Sequence, residues 1–174
     1  MNKLYLTNQD IEKYVANIVS QMYADNWRPD YIVGITRGGL IPSVMLSHYT
    51  GIKMHTLDVR LRDGDGECES NCWMAEDAFG MFQMGSEYAC KKILIVDDIN
   101  DTGATFNWIM KDWASGCLPN DPRWEDKIWG HNVRFAALID NVASECKVEM
   151  SYTGTEINKA EDPSWIVFPF EEWW

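Results

Sequence analysis

Apolar residues Ile11, Tyr14, Val15, Ile18, Val19 and Met22 recur at helical spacing, so the first long segment reads as an amphipathic helix that packs by one face. Thr7, with Asp10 three residues on, supplies its start signal. The period then changes. Tyr31-Ile32-Val33-Gly34-Ile35 is a short apolar run behind Pro29-Asp30, as for a strand, and it leads through polar Thr36-Arg37-Gly38-Gly39 into a helical pattern from Leu40 to Tyr49 that Gly51 stops. Lys53 to Val59 is the next strand candidate. Ile93-Leu94-Ile95-Val96, bounded by Lys91-Lys92 and Asp97-Asp98, is continuously apolar, the pattern of a strand buried on both faces of a parallel sheet. After a turn at Asn100–Gly103, Phe106, Ile109, Met110 and Trp113 mark another amphipathic helix, ended by Gly116. Val133–Ile139, Val148–Tyr152 and Trp165–Phe168 are further strand candidates.

Two stretches carry no clean period. Arg60–Glu87, with the acidic turn region Asp63–Glu67, reads as a mobile loop, and Leu118–Asn132, polar and proline-containing, reads as a surface connection. The alternation of strands and helices elsewhere predicts an α/β fold with a mainly parallel sheet flanked by helices. Such sheets bind ligands beyond the carboxyl ends of their strands, where both polar loops, Thr36–Gly39 and Asp97–Thr105, fall.

Composition narrows the function classes. A chain of 174 residues that is 46% hydrophobic and 24% charged fits one ordinary globular domain. Its net charge of −12 argues against nucleic acid or an anionic lipid surface as partner, because no basic stripe exists to release counterions from phosphate. The N-terminus shows no secretory pattern and no stretch approaches the ~20 apolar residues of a membrane span, so a cytoplasmic protein is expected. The five cysteines are odd in number and scattered, which fits reduced thiols. Cys68 and Cys72, the one close pair, lack a second Cys/His pair at usable spacing, so no zinc site is expected.

The candidate chemistry sits in the loops. Ile93 to Thr105 places Asp97, Asp98, Asp101, Thr102, Gly103, Ala104 and Thr105 between a buried strand and a helix N-terminus. Successive amides from Thr102 to Thr105, aided by the helix dipole and two hydroxyls, can wrap a phosphate. Asp97 and Asp98 can accept hydrogen bonds from vicinal sugar hydroxyls or hold Mg²⁺ through oxygen ligands. In the other loop, Arg37 offers paired donors to phosphate oxygens, and Gly38 and Gly39 let the backbone approach closely.

Four apolar residues, two acidic residues, a spacer and Thr-Gly-x-Thr resemble the phosphoribosyl-pyrophosphate (PRPP) motif of type I phosphoribosyltransferases. Gly34–Pro42, with its Arg-Gly-Gly core, resembles the pyrophosphate loop of the purine branch, in which the peptide corresponding to Thr36–Arg37 can be cis. Trp165-Ile166-Val167-Phe168-Pro169-Phe170-Glu171 resembles the ending of xanthine–guanine and hypoxanthine phosphoribosyltransferases. The tract Glu69–Asp77 resembles phage-encoded members.

The resemblance implies a type I phosphoribosyltransferase fold over 1–174, with a core at about 8–140 and a small hood formed by 141–174 with the N-terminal segment. It implies Mg²⁺-dependent transfer of the phosphoribosyl group from PRPP to a 6-oxopurine (hypoxanthine, guanine or xanthine) and a homodimer or homotetramer. Asp97 and Asp98 are then assigned to the ribose and metal, Asp101 to Thr105 to the 5′-phosphate, and Thr36, Arg37, Gly38 and Gly39 to pyrophosphate. Asp101 is also the candidate general base, Trp165 stacks on the base, and Ile166 reads its edge through the backbone. One departure stands out: Asn141 falls where relatives carry a lysine that donates to the 6-oxo group. It is expected to contact the base, with Lys147 or Lys159 as nearby substitutes. Arg60–Glu87 is expected to close over PRPP as a lid. Transfer to another base, or a non-catalytic PRPP-sensing regulator on the same fold, are the alternatives.

Overall fold

The computed structural model describes residues 1–59, 61, 72–80 and 90–171. In chain order these form β1 (Lys3–Tyr5), α1 (Asn8–Ala24), β2 (Tyr31–Thr36), α2 (Leu40–Thr50), β3 (Met54–Asp58), α3 (Cys72–Phe79) and β4 (Ile93–Asn100). Then follow α4 (Ala104–Gly116), a π-helical turn (Trp124–Ile128), β5 (Val133–Asn141), β6 (Tyr152–Ile157) and β7 (Trp165–Val167). The predicted capping box holds α1: the Thr7 hydroxyl accepts from the Asp10 amide at 3.1 Å, and the Asp10 carboxylate accepts from the Thr7 amide at 2.7 Å.

Five strands make a wholly parallel sheet in the order β3-β2-β4-β5-β6. Side chains alternate across it, so each central strand feeds two apolar layers. Val33, Ile35, Ile93, Ile95, Val133 and Phe135 face α3 and α4, whereas Ile32, Leu94, Val96, Ala136 and Leu138 face α1 and α2. All eleven are fully buried or within 2% of it, which is why these runs lack polar alternation. Chain order reverses direction between β2, which continues to edge strand β3, and β4, which continues to β5 and β6. That reversal leaves a crevice beyond the carboxyl ends of β2 and β4, the place an open α/β sheet offers a ligand.

A second, two-stranded parallel sheet pairs β1 with β7, Leu4 lying opposite Ile166. Its ends are tied as well: the Trp165 amide donates to the Asn2 carbonyl and the Leu6 amide to the Val167 carbonyl, each near 2.9 Å or below. The N-terminal residues thus hold the backbone of the C-terminal segment in place.

Three expectations need correction. Arg60–Glu87 is not irregular throughout, because α3 lies within it and buries Met74, Ala75, Ala78 and Phe79. Two of those contacts are alanines, whose small apolar surface leaves a weak periodic signal, and the helix is only eight residues long. The lid expected there falls on residues 60, 62–71 and 81–87, outside the described residues. Leu118–Asn132 is not merely a surface connection: Trp124, Ile128 and Trp129 are at most 6% exposed. Trp124 stacks on Trp129 at 5.3 Å and meets Phe79 at 5.2 Å, while the Arg123 guanidinium covers the Phe79 ring at 4.2 Å. Burying each such ring contributes about 1.5–3 kcal/mol, which outweighs the polar character of its neighbours. The strand expected at Val148–Tyr152 begins instead at Tyr152 and runs to Ile157. There Gly154 lets α1 close on the sheet, since a Cβ at that position would lie 2.3 Å from the Tyr14 side chain. An apolar-run criterion does not see a strand whose inward position is a glycine.

Candidate active site

A cavity of about 1150 Å³ opens in the crevice beyond β2 and β4. Thr36, Arg37 and Gly38 line one wall, Asp97 to Phe106 the floor, and Lys159, Trp165, Ile166, Phe168, Phe170 and Glu171 the opposite side. Segments nearly 130 residues apart in the chain therefore converge because β2 and β4 are sheet neighbours and the β1–β7 pair overhangs them.

In the β2 loop the Thr36–Arg37 peptide is cis. The Thr36 hydroxyl is turned aside, donating to the Asp58 carboxylate at 2.8 Å, so this residue offers the cavity its backbone rather than its hydroxyl. Gly38 leaves room for Asp98: a Cβ there would lie 2.1 Å from Asp98 Oδ2. Gly39 does not line the cavity but sits beneath it, with Val96 and Ile35 backbone atoms 2.4–2.8 Å from where a Cβ would stand. Its contribution is to let the loop fold down onto β2 and β4.

The β4 side is acidic. Asp97 Oδ1 accepts from the Asp98 amide at 2.9 Å and Asp98 Oδ1 from the Ile99 amide at 2.8 Å, so both carboxylates are oriented by local backbone. Burial pushes the Asp98 carboxyl above the ordinary value, the hydrogen bond with Asp97 opposes this, and the Glu171 charge across the cavity adds to it. Gly103 takes φ 87° at the start of α4, and no side chain caps that helix. The Ala104 amide donates to the Thr102 hydroxyl at 3.3 Å and the Asn107 amide to the Gly103 carbonyl at 3.0 Å, while the amides of Thr105 and Phe106 precede the first intrahelical bond, on residues that line the cavity. A dianion is the natural occupant of such a nest.

From outside, residues 141–147 brace this loop. The Glu145 amide donates to the Thr102 carbonyl at 2.9 Å, and the Asn107 side chain bonds the Glu145 carbonyl and the Lys147 amide, each at 2.9 Å. Asn100 adds bonds to Asp140 (2.8 Å) and Ser144 (2.9 Å).

Asn141 is the residue whose expected place is overturned. It is buried and absent from the cavity wall. Its Nδ2 donates to the Asp101 carbonyl at 2.7 Å, and its Oδ1 accepts from the amides of Ala143 (3.2 Å) and Lys159 (3.0 Å). Buried and held at both ends of the amide by backbone, it does not reach the cavity. Lys159 stands in the cavity instead, its Nζ 2.9 Å from Asp101 Oδ1 and 5.8 Å from the centre of the Trp165 ring. Lys147, the other substitute considered, is not on the cavity wall.

Trp165 is 42% exposed, whereas Trp27, Trp113, Trp124 and Trp129 are at most 6% exposed. Those four are spent on the core; Trp165 presents an unused aromatic face. Trp165 and Val167 direct their backbone groups toward β1, so by strand alternation those of Ile166 point the other way, on the cavity side. Two residues of this segment were not singled out from sequence. Phe170 stacks on Phe168 at 5.2 Å, and Glu171, which accepts from the Phe168 amide at 3.0 Å, adds a carboxylate to the wall. The aromatic-acidic pattern of the ending was their signal.

Residues 1–172 match the family model described as phosphoribosyl transferase domain. Xanthine phosphoribosyltransferase 1 of Saccharomyces cerevisiae is 25% identical over 126 residues, which cover 63% of this chain and 59% of that protein. The match thus spans about three-fifths of the length of the yeast relative. A purine phosphoribosyltransferase from Pyrococcus horikoshii superposes with a TM-score of 0.65 at 25% identity, covering 99% of this chain and 96% of that one. The xanthine-guanine-hypoxanthine phosphoribosyltransferase of Helicobacter pylori shares the fold, with a TM-score of 0.62 at 16% identity over 98% of this chain and 94% of that one. Among the described residues no helix is long and apolar enough to cross a membrane.

Proposed function

Because this chain belongs to the phosphoribosyltransferase family, we propose that it transfers the 5-phosphoribosyl group of PRPP to a 6-oxopurine (hypoxanthine, guanine or xanthine), releasing pyrophosphate and a nucleoside 5′-monophosphate. The observation that carries this reading is the convergence of an arginine-glycine loop, an uncapped helix N-terminus and an exposed indole on one cavity. Two anion sites and an aromatic platform are what a doubly phosphorylated sugar and a flat base require.

In this reading Asp101 to Thr105 hold the 5′-phosphate, Asp97 and Asp98 the ribose hydroxyls, and the backbone of Thr36 and Gly38 with the Arg37 guanidinium the pyrophosphate, Gly39 supporting that loop from beneath. As pyrophosphate departs, the ribose gains oxocarbenium character. Donors already fixed by the β2 loop stabilise the leaving polyanion without reorganising. Stacking on Trp165, with edge contacts from Ile166, keeps the base nitrogen in line with the sugar carbon. Asp101, on the cavity floor, takes the proton released from the purine imidazole ring.

The donor set also suits Mg²⁺. The carboxylates of Asp97 and Asp98 are hard oxygen ligands, and both line the cavity floor. Among the described residues no cluster of three His, Cys, Asp or Glu forms a cage. An ion held by one or two carboxylates and completed by substrate oxygens accords with that arrangement. When bound, Mg²⁺ would neutralise charge between PRPP and the acidic floor. The test is incubation with PRPP, Mg²⁺ and hypoxanthine, guanine, xanthine or adenine in turn, with nucleotide resolved by chromatography. Nucleotide from a 6-oxopurine is expected, and its loss with a chelator. PRPP binding without nucleotide from any base overturns the reading in favour of a sensor.

A further inference from the structure

A nest of amides holds a phosphate only while its N–H groups face the anion, and each peptide carries a carbonyl on its opposite edge. The nest at the start of α4 contains a residue that makes this orientation insecure. Gly103, at φ 87°, can take either sign of φ, so the Thr102–Gly103 peptide can rotate as a unit and turn its carbonyl oxygen toward the ligand. Two successive carbonyls are held from outside. The Asn141 side chain donates to the Asp101 carbonyl at 2.7 Å, and the Glu145 amide donates to the Thr102 carbonyl at 2.9 Å.

Both peptides are trans, so each N–H lies antiparallel to its C=O. With the two carbonyls drawn toward Asn141 and Glu145, which are off the cavity wall, the amide hydrogens of Thr102 and Gly103 point the other way, on the side where these residues line the cavity. The Glu145 amide serves only if its own segment stays in place, and Asn107 secures that. The Asn107 side chain donates to the Glu145 carbonyl and accepts from the Lys147 amide, both at 2.9 Å, gripping the backbone on either side of Cys146. Cys146 in turn sits on Gly103, its nitrogen 2.3 Å from where a Cβ would stand. Asn107 belongs to α4 yet is not part of the cavity wall, so it acts on a ligand only through this backbone.

We infer that Asn107, together with Asn141, is a positioning residue of the phosphate loop: the two lock consecutive peptides with their N–H groups toward a phosphate monoester. The inference rests on the transferase reading for placing the sugar 5′-phosphate at this nest. It adds side chains that touch no substrate and gives the buried Asn141 amide a task. The β2 loop takes no part in the lock, so affinity for pyrophosphate is the internal reference.

The test is titration calorimetry of wild type and variants with inosine 5′-monophosphate, inosine and magnesium pyrophosphate. For Asn107→Ala the gain in affinity that the phosphate gives over inosine falls about 10-fold, the lower end for one hydrogen bond to a charged group. Affinities for inosine and for pyrophosphate stay within about 2-fold, as for sites that share no partner. In turnover the KM for PRPP rises by more than kcat falls, a split that a mere loss of folded protein does not produce. Asn141→Ala lowers the same phosphate gain through the Asp101 carbonyl. Asn107→Ser, whose hydroxyl can serve one of the two backbone groups but not both, loses less than the alanine variant and serves if that variant does not fold. An unchanged phosphate gain, with losses shared equally by inosine and its monophosphate or absent altogether, overturns the inference and leaves the asparagines as stability residues. Wild-type protein that binds the monophosphate no better than inosine overturns it as well, because no phosphate then sits at the nest. Wild-type protein that makes no nucleotide, yet shows a phosphate gain that Asn107→Ala removes, overturns the transferase reading and upholds the inference.

Discussion

The loops after β2 and β4 occupy equivalent places at the carboxyl ends of neighbouring parallel strands, yet they are built in opposite ways. The β2 loop is set by compression: Gly38 fits against the Asp98 carboxylate and Gly39 against the backbone of Val96 and Ile35, so its shape comes from the sheet below. The β4 loop is set by bracing, with Asn100, Asn107, Asn141 and the 141–147 segment bonding it from outside. A loop pressed onto a sheet is rigid before any ligand arrives, which suits grip on a leaving polyanion. A loop held by side-chain amides places individual groups, and on it sits Asp101, the residue assigned proton transfer.

The largest expected effect separates those roles. Asp101→Asn lowers kcat by about 10²–10⁴-fold, the usual range for a lost general base, while the dissociation constant for PRPP, measured by calorimetry, stays within a few-fold. Near-normal turnover would reduce Asp101 to a turn residue and remove the chemical half of the contrast.

Next come the glycines, read by thermal unfolding. At Gly39 the obstacle is backbone of β2 and β4 at 2.4–2.8 Å, which cannot step aside, so Gly39→Ala costs about 1–3 kcal/mol or more. Gly103→Ala meets Cys146 backbone at 2.3 Å and a positive φ, a conformation that itself costs about 1–2 kcal/mol for alanine. The obstacle is again backbone, of a segment hydrogen-bonded to the loop, so the total is at least that of Gly39→Ala. Gly38→Ala meets only the Asp98 side chain, which can rotate away. Its stability falls by about 0.5–1.5 kcal/mol, the worth of the Asp98–Ile99 hydrogen bond that the rotation breaks, while PRPP binding weakens because Asp98 is displaced. A Gly38 variant less stable than the Gly39 variant would contradict the compression account.

How far the sequence disclosed this arrangement depends on what holds each part. Strands β2 and β4 and the place of their loops on the cavity were legible because burial on both faces enforces unbroken apolar runs, and the phosphate-binding role proposed for the loops needs glycine, hydroxyl and carboxylate at fixed offsets. Trp165 was legible by its place in a short ending, although only its 42% exposure separates it from the core tryptophans. Asn141 was misread because position along β5 does not reveal which partners claim an amide, and those partners, Asp101 and Lys159, lie 40 and 18 residues away. For the same reason α3 and the Trp124–Trp129 stack were hidden: their apolar residues are few and scattered, and only the folded sheet brings them together.

The central claim is that the two loops grip opposite ends of one substrate, and a crystal structure with PRPP and Mg²⁺ tests it most directly. The account predicts the 5′-phosphate against the amides of Thr102–Thr105 and the pyrophosphate against Arg37 and Gly38, with the sugar over Asp97 and Asp98. Pyrophosphate density away from the β2 loop, or a 5′-phosphate outside the nest at the start of α4, would contradict it.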